Sequence, residues 1–185
     1  MPESRNVRRS YLVGRAVGRT QEVELGLAWL FDQETSGERL LVVPGKGQYA
    51  SGHLVEVIGS AAGKVLAGGG TVADQRGRSI RGATARTFPP TGWRGGPVLV
   101  LWPGEAAIAK IDADWRAEAI CVVPWTYSDV EAWAKGRQAV DLLSPDAPVS
   151  APTVSDAVVE QALISLTSVI NVGTGLSIHP TERQR

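Results

Sequence analysis

The 185-residue sequence predicts an α/β domain: an open, predominantly parallel sheet of three to four strands flanked by helices, with a docked amphipathic helix near the carboxyl terminus. Three observations predict it. Residues 39–44, 97–103 and 119–125 read RLLVVP, PVLVLWP and AICVVPW, apolar runs without polar alternation, as expected of central strands covered on both faces. Each run ends at a proline, which has no N–H for a sheet ladder and is tolerated in the first turn of a helix. Helical spacing follows each run, so strand and helix alternate as they do when parallel strands are joined by crossover helices.

Taken in order, Thr20 can cap a helix over QEVELGLAWLFDQ, with Glu22 and Glu24 in the first turn, where the helix dipole favours negative charge. Ser36 and Gly37 punctuate it. After the first strand, Leu54, Val57, Ile58, Ala61 and Val65 recur at helical spacing until Gly68, Gly69 and Gly70. Gly52, Gly59 and Gly63 fall on the opposite side of that helix, where a neighbouring backbone or a second subunit could approach, or where glycine has merely drifted in a glycine-rich chain.

Residues 71–88, TVADQRGRSIRGATARTF, carry a turn signal and arginine on both faces, and read as a hairpin or edge strand. A short helix over 105–112 buries Ile108 and Ile111 after the second strand. Ser128 and Glu131 suggest a capping box for the third helix, whose apolar side is Val130, Trp133 and Ala134. The proline-rich stretch 144–155 reads as an extended connector. Beyond it, Val159, Ala162, Leu163, Leu166, Val169 and Ile170 line one side of a helix. Burying each large side chain there contributes about 1.5–3 kcal/mol, so this stripe needs a surface to dock on. The whole is read as a single domain: a body over 20–143, the connector, and a terminal helix and tail over 156–185.

Composition narrows the function classes. With 43% hydrophobic and 21% charged residues the chain reads as globular, and no apolar run approaches the roughly 20 residues of a membrane span. Without the features of a secretory signal, it reads as cytoplasmic. The lone Cys121 has no disulfide partner and sits inside an apolar run, as an inert buried thiol does. Lysine plus arginine balance aspartate plus glutamate at 19 each, so no whole-protein field draws nucleic acid. Arginines do cluster, over 5–19 and 76–94. Should those stretches meet, Arg8, Arg9, Arg76, Arg78 and Arg81 would form a basic patch for nucleic acid; GC-rich coding is the favoured account of arginine outnumbering lysine 15 to 4, since neither stretch interleaves aromatics as single-strand binders do.

Ligands of open, Rossmann-like parallel sheets bind beyond the carboxyl ends of the strands. That rule selects Gly45, Lys46, Gly47, Trp102, Glu105, Trp125 and Thr126 as a candidate site for a small anionic ligand. The stretch GKGQYASG offers glycines around one lysine, but it meets neither the Walker nor the dinucleotide spacing, and a plain strand-to-helix corner explains it as well. Asp112 and Asp114 lie at the opposite end and are set aside as a catalytic pair. His53 and His179 have no partners at ligand spacing, so no metal is expected; GxSxG is absent and no catalytic residue or cofactor is assigned.

The strand cores PVLVLWP and ICVVPW, with the late helix and the turn NVGTG, resemble a family of uncharacterised bacterial α/β proteins over residues 40–180. The resemblance implies an α/β fold and carries no activity with it. Three expectations therefore stand: a ligand-binding or regulatory protein, a nucleic-acid-binding protein, or an assembly subunit that oligomerises through the Gly52, Gly59 and Gly63 face or the terminal helix.

Overall fold

Seven strands form one sheet in the order β3-β4-β2-β5-β6-β1-β7, in a computed structural model that describes residues 7–14, 18–74 and 76–144. The strands are β1 (Arg8–Tyr11), β2 (Arg39–Val43), β3 (Thr71–Ala73), β4 (Ser79–Thr84), β5 (Gly96–Leu101), β6 (Ala117–Val123) and β7 (Val140–Asp141). The helices are α1 (Arg19–Asp32), α2 (His53–Ile58), α3 (Ser60–Ala67), α4 (Glu105–Asp112) and α5 (Glu131–Arg137). The chain divides into two compact units, Met1–Ser150 and Ala151–Arg185, and every described residue belongs to the first. The expected connector beyond Ser144 and the terminal helix lie outside the described residues.

The three apolar runs are adjacent and parallel: β2 pairs with β5 (Leu40 opposite Val98) and β5 with β6 (Leu101 opposite Val123). Their proline-marked ends therefore share one edge of the sheet. Alternation along each strand sends successive side chains to opposite faces. Leu41, Val43, Leu99, Leu101, Cys121 and Val123 meet Val23, Leu27 and Leu30 of α1, Leu54 of α2 and Leu66 of α3. Leu40, Val42, Val98, Val100, Ile120 and Val122 meet Ile108 and Ile111 of α4 and Val130 before α5.

The sheet is larger than the expected three to four strands. Residues 71–88 do contain the expected hairpin, β3 running antiparallel to β4, but β4 continues parallel to β2 and is an interior strand. The strand β1 was hidden because RRSY has no apolar run. It holds its place because Ser10 is buried beside the sheet and Arg9 is met by a carboxylate.

Three local expectations are corrected. Gly18, not Thr20, stands at the N-cap of α1. The capping box before α5 is made by Thr126 and Asp129, with Thr126 N–H donating to Asp129 Oδ2 at 2.8 Å, while Ser128 Oγ pairs with Thr126 Oγ1. The single helix expected after β2 is instead a 3₁₀ turn, Lys46–Tyr49, followed by α2 and α3 broken at Gly59 with φ +79°. Gly52 and Gly59 thus flank helices and do not share an outward face with Gly63. A β-carbon at Gly63 would fall 2.1 Å from the Tyr49 carbonyl oxygen, so the close backbone approach there is made within the chain. No helix among the described residues is long and apolar enough to cross a membrane.

Candidate functional site

Because α1, α2 and α3 cover one face and α4 and α5 the other, the connections leave the sheet in opposite directions after β2 and β5, and again after β6 and β1. Such switch points open crevices at the carboxyl ends of the strands. The loops gathered there come from residues 12–14, 18–20, 44–53, 84–88, 102–105 and 124–130.

At the β6/β1 switch point, Glu22 is buried to 1% exposure and accepts the Gly14 N–H and Arg19 Nη1, each at 2.7 Å. Arg19 also donates to the Pro124 carbonyl at 3.1 Å and to the Trp125 carbonyl, and its guanidinium lies 5.5 Å from the Trp125 ring centroid. Trp125 in turn stacks on Trp102, with centroids 5.0 Å apart and ring planes 17° apart. Trp102 has the left-handed φ of 51°, which costs a non-glycine residue about 1–2 kcal/mol. Its ring is buried in the core and its Nε1 has no hydrogen-bond partner among the described residues. This layer of arginine and two indoles ties β1, β5 and β6 together and is already filled by its own groups.

Beside it, Thr20 Oγ1 lies 3.1 Å from His53 Nδ1 and 2.7 Å from Glu56 Oε2. The hydroxyl of Thr20, followed by the ring of His53, holds the Glu56 carboxyl below its ordinary range. The three join the amino ends of α1 and α2. The hydroxyl is donated to a carboxylate, not activated by a base, so the cluster is no nucleophile.

Two clefts flank this layer. One, of about 430 Å³, is lined by Lys46, Gly68, Gly69, Arg81, Thr84 and Thr87 among others, at the carboxyl ends of β2 and β4. It contains two cations and no acid. Lys46 is exposed and pairs with no carboxylate among the described residues. Arg81 is committed, donating to the Gly69 carbonyl at 3.1 Å, the Thr91 carbonyl at 3.3 Å and Glu38 at 3.4 Å. Lys110 Nζ reaches the Ala85 carbonyl at 3.2 Å, bringing a further positive charge to the loop that follows Thr84. The other cleft, of about 400 Å³, lies between the start of α4 and the turn before α5, and its lining includes Glu105, Ser128, Asp129 and Trp133. Its charged groups are acidic.

The seven residues expected to form one site are therefore divided. Gly45, Lys46 and Gly47 form the turn beside the first cleft, Glu105 belongs to the second, and Trp102, Trp125 and Thr126 line neither, with Trp102 buried and Trp125 and Thr126 exposed. Sequence reasoning missed Arg19 and the buried Glu22. A signal existed for Glu22, since it lies at four-residue spacing from Gly26 and Leu30 on the face that α1 buries.

Among the described residues Arg8 and Arg9 of β1 do not meet Arg81 of β4, because β2, β5 and β6 separate those two strands in the sheet. Arg9 pairs with Asp112, Arg78 with Asp74 and Asp32, and Arg81 with Glu38. Asp112 and Asp114, set aside as a catalytic pair, anchor arginines: Arg9 and Arg137 for the first, Arg116 for the second. Cys121 is fully buried, and burial pushes its thiol well above the ordinary range, where it is no nucleophile. Among the described residues no group of three or more His, Cys, Asp or Glu could hold a metal ion. No protein-family model, curated protein or solved structure matches the chain.

Proposed function

We propose that this protein is a ligand-binding or regulatory α/β protein that takes a small anionic ligand in the cleft bordered by Lys46. One observation carries the reading: the cleft lining holds two cations and no acid, and the Lys46 ammonium is without a carboxylate partner among the described residues. An unneutralised cation beside a concave surface raises the local concentration of anions. The location agrees with the general rule for open parallel sheets. Of the seven residues expected at the outset, this reading keeps Lys46 with its flanking glycines and releases Glu105, Trp102, Trp125 and Thr126.

A thermal-shift series with nucleotides and phosphosugars tests it. The expected result is stabilisation by at least one phosphorylated compound that disappears in Lys46→Ala, whose exposed side chain can be removed without disturbing the core. Absence of stabilisation by every compound, or stabilisation that survives Lys46→Ala, overturns the reading.

A further inference from the structure

The cleft bordered by Lys46 offers more than its charge. The strand β3 pairs with β4 only from Ser79 to Arg81, so Gly82, Ala83 and Thr84 have no strand beside them on that edge and line the cleft instead. Arg81 joins two further parts of the lining, the turn at Gly69 and the loop at Thr91, by donating to both carbonyls. Thr84 and Thr87 lock together: the Thr84 N–H donates to Thr87 Oγ1 at 2.9 Å, the Thr87 N–H donates to Thr84 Oγ1 at 3.2 Å, and the two oxygens lie 3.0 Å apart. Only one hydroxyl proton fits between those oxygens, so the second is left over. The chain offers it the Thr84 carbonyl, 3.4 Å from Thr87 Oγ1 and already accepting the Thr87 and Phe88 N–H groups. Thr91, on the same lining, has a hydroxyl without a partner among the described residues.

The charge of the lining sets the size of the anion. Arg81 is committed, so Lys46 alone supplies an unpaired cation, and the lining holds no carboxylate to bring a divalent cation to a longer phosphate chain. A single phosphate suits one ammonium better than a diphosphate or triphosphate does. A nucleobase would need a flat ring to stack on. All the Trp, Tyr and Phe residues of the chain are among the described residues, and none lines this cleft. Hydroxyls of a ligand, by contrast, both donate and accept, as the threonine hydroxyls do. We infer that the cleft takes a phosphate monoester of a sugar or other small polyol, its phosphate at Lys46 and its hydroxyls at Thr84, Thr87 and Thr91. This rests on the Lys46 reading and names the ligand class within it.

Calorimetric titration of the full chain tests it, with ribose 5-phosphate, glucose 6-phosphate, adenosine monophosphate and inorganic phosphate as probes. At least one sugar phosphate is expected to bind about tenfold more tightly than phosphate, the gain typical of one or two added hydrogen bonds. Adenosine monophosphate is expected to bind no more tightly than ribose 5-phosphate, since its base finds nothing to stack on. Thr91→Val, at an exposed residue, and Thr87→Val should each weaken the sugar phosphate by about threefold to tenfold and leave phosphate unchanged. Thr87→Ser, which keeps the hydroxyl, should retain the affinity; circular dichroism checks that each variant folds. The inference is overturned, and the Lys46 reading stands, if binding is lost in Lys46→Ala but neither sugar phosphate exceeds phosphate, adenosine monophosphate exceeds both sugars, or both valine variants bind as the parent does. No binding by any probe, or binding that survives Lys46→Ala, overturns both.

Discussion

The hydroxyl of Tyr49 accepts the backbone N–H of Ala83 at 3.0 Å and donates to the carbonyl of Leu41 at 2.5 Å, with the Ala83 carbonyl 2.9 Å away. A side chain from the turn after β2 is thereby inserted into the junction of β2 and β4. It fixes the end of the Lys46 turn to the two strands whose ends border the first cleft. Replacing Tyr49 by phenylalanine removes the hydroxyl and leaves a buried donor and acceptor without partners. The expected loss is about 1–3 kcal/mol, read from urea denaturation.

The same tyrosine makes Gly63 irreplaceable. A methyl group at Gly63 would meet the Tyr49 carbonyl oxygen at 2.1 Å, and backbone on both sides cannot give way as a flexible side chain could. Gly63→Ala is expected to destabilise the fold by about 1–3 kcal/mol, although alanine is the better helix former. At Gly47, where nothing lies within 4 Å of an added β-carbon, alanine is expected to be close to neutral. Comparing the midpoints of the two variants separates packing from propensity.

Glu22 joins the end of β1 to the start of α1 by accepting Gly14 N–H and Arg19. Glu22→Gln keeps the shape but loses the charge, and is expected to cost about 1–3 kcal/mol. Arg19 would then hold Trp125 less firmly, so a change in tryptophan fluorescence should accompany the loss. Unchanged stability with unchanged emission would show that the junction is held by other contacts.

Two buried groups set the alkaline limb of stability. Burial raises the Tyr49 phenol above its ordinary value, outweighing the opposing effect of its hydrogen bond to Ala83, and burial alone raises the Cys121 thiol. An acid whose folded pKa is raised stabilises the fold below its unfolded pKa, and that contribution is lost as pH rises beyond it. Stability is therefore expected to fall above about pH 8.5 through Cys121 and more steeply above about pH 10 through Tyr49. Tyr49→Phe should remove the second part of that slope.

On the acid side the sign reverses. The Arg116 guanidinium holds the Asp114 carboxyl below the ordinary carboxylate range, its hydrogen bond outweighing the opposing effect of burial. The pair contributes at neutral pH, and the contribution is lost as pH falls below the ordinary carboxylate range through the depressed value. Asp114→Asn should flatten the acid limb in a denaturation series, and an unchanged limb would count against the pairing.

The apolar runs at 39–44, 97–103 and 119–125 were legible because burial on both faces leaves an unbroken hydrophobic signature that needs no tertiary information. The helix over 105–112 was read to the residue from its spacing. By contrast, the β1 segment shows in the sequence only as an arginine cluster, since its strand character depends on Asp112 meeting Arg9 from a helix a hundred residues later. Nothing in GKGQYASG marks Tyr49 as buried, because the partners of its hydroxyl depend on β4 lying beside β2. The candidate site fared similarly: Lys46 was visible beside its glycines, while Arg81, Thr84 and Thr87 joined it only through strand order.

Local composition, then, sufficed to establish the three central parallel strands, where they stop, and which end of the sheet collects their loops, because hydrophobic burial and proline's missing N–H act within a few residues. The division of those loops into a basic cleft and an acidic one, the gathering of Arg9 and Arg137 around Asp112, and the insertion of Tyr49 between two strands were decided by tertiary structure. Charge pairing and backbone approach act between residues far apart in the chain, and their partners acquire meaning only when the strand order brings them within a few ångströms.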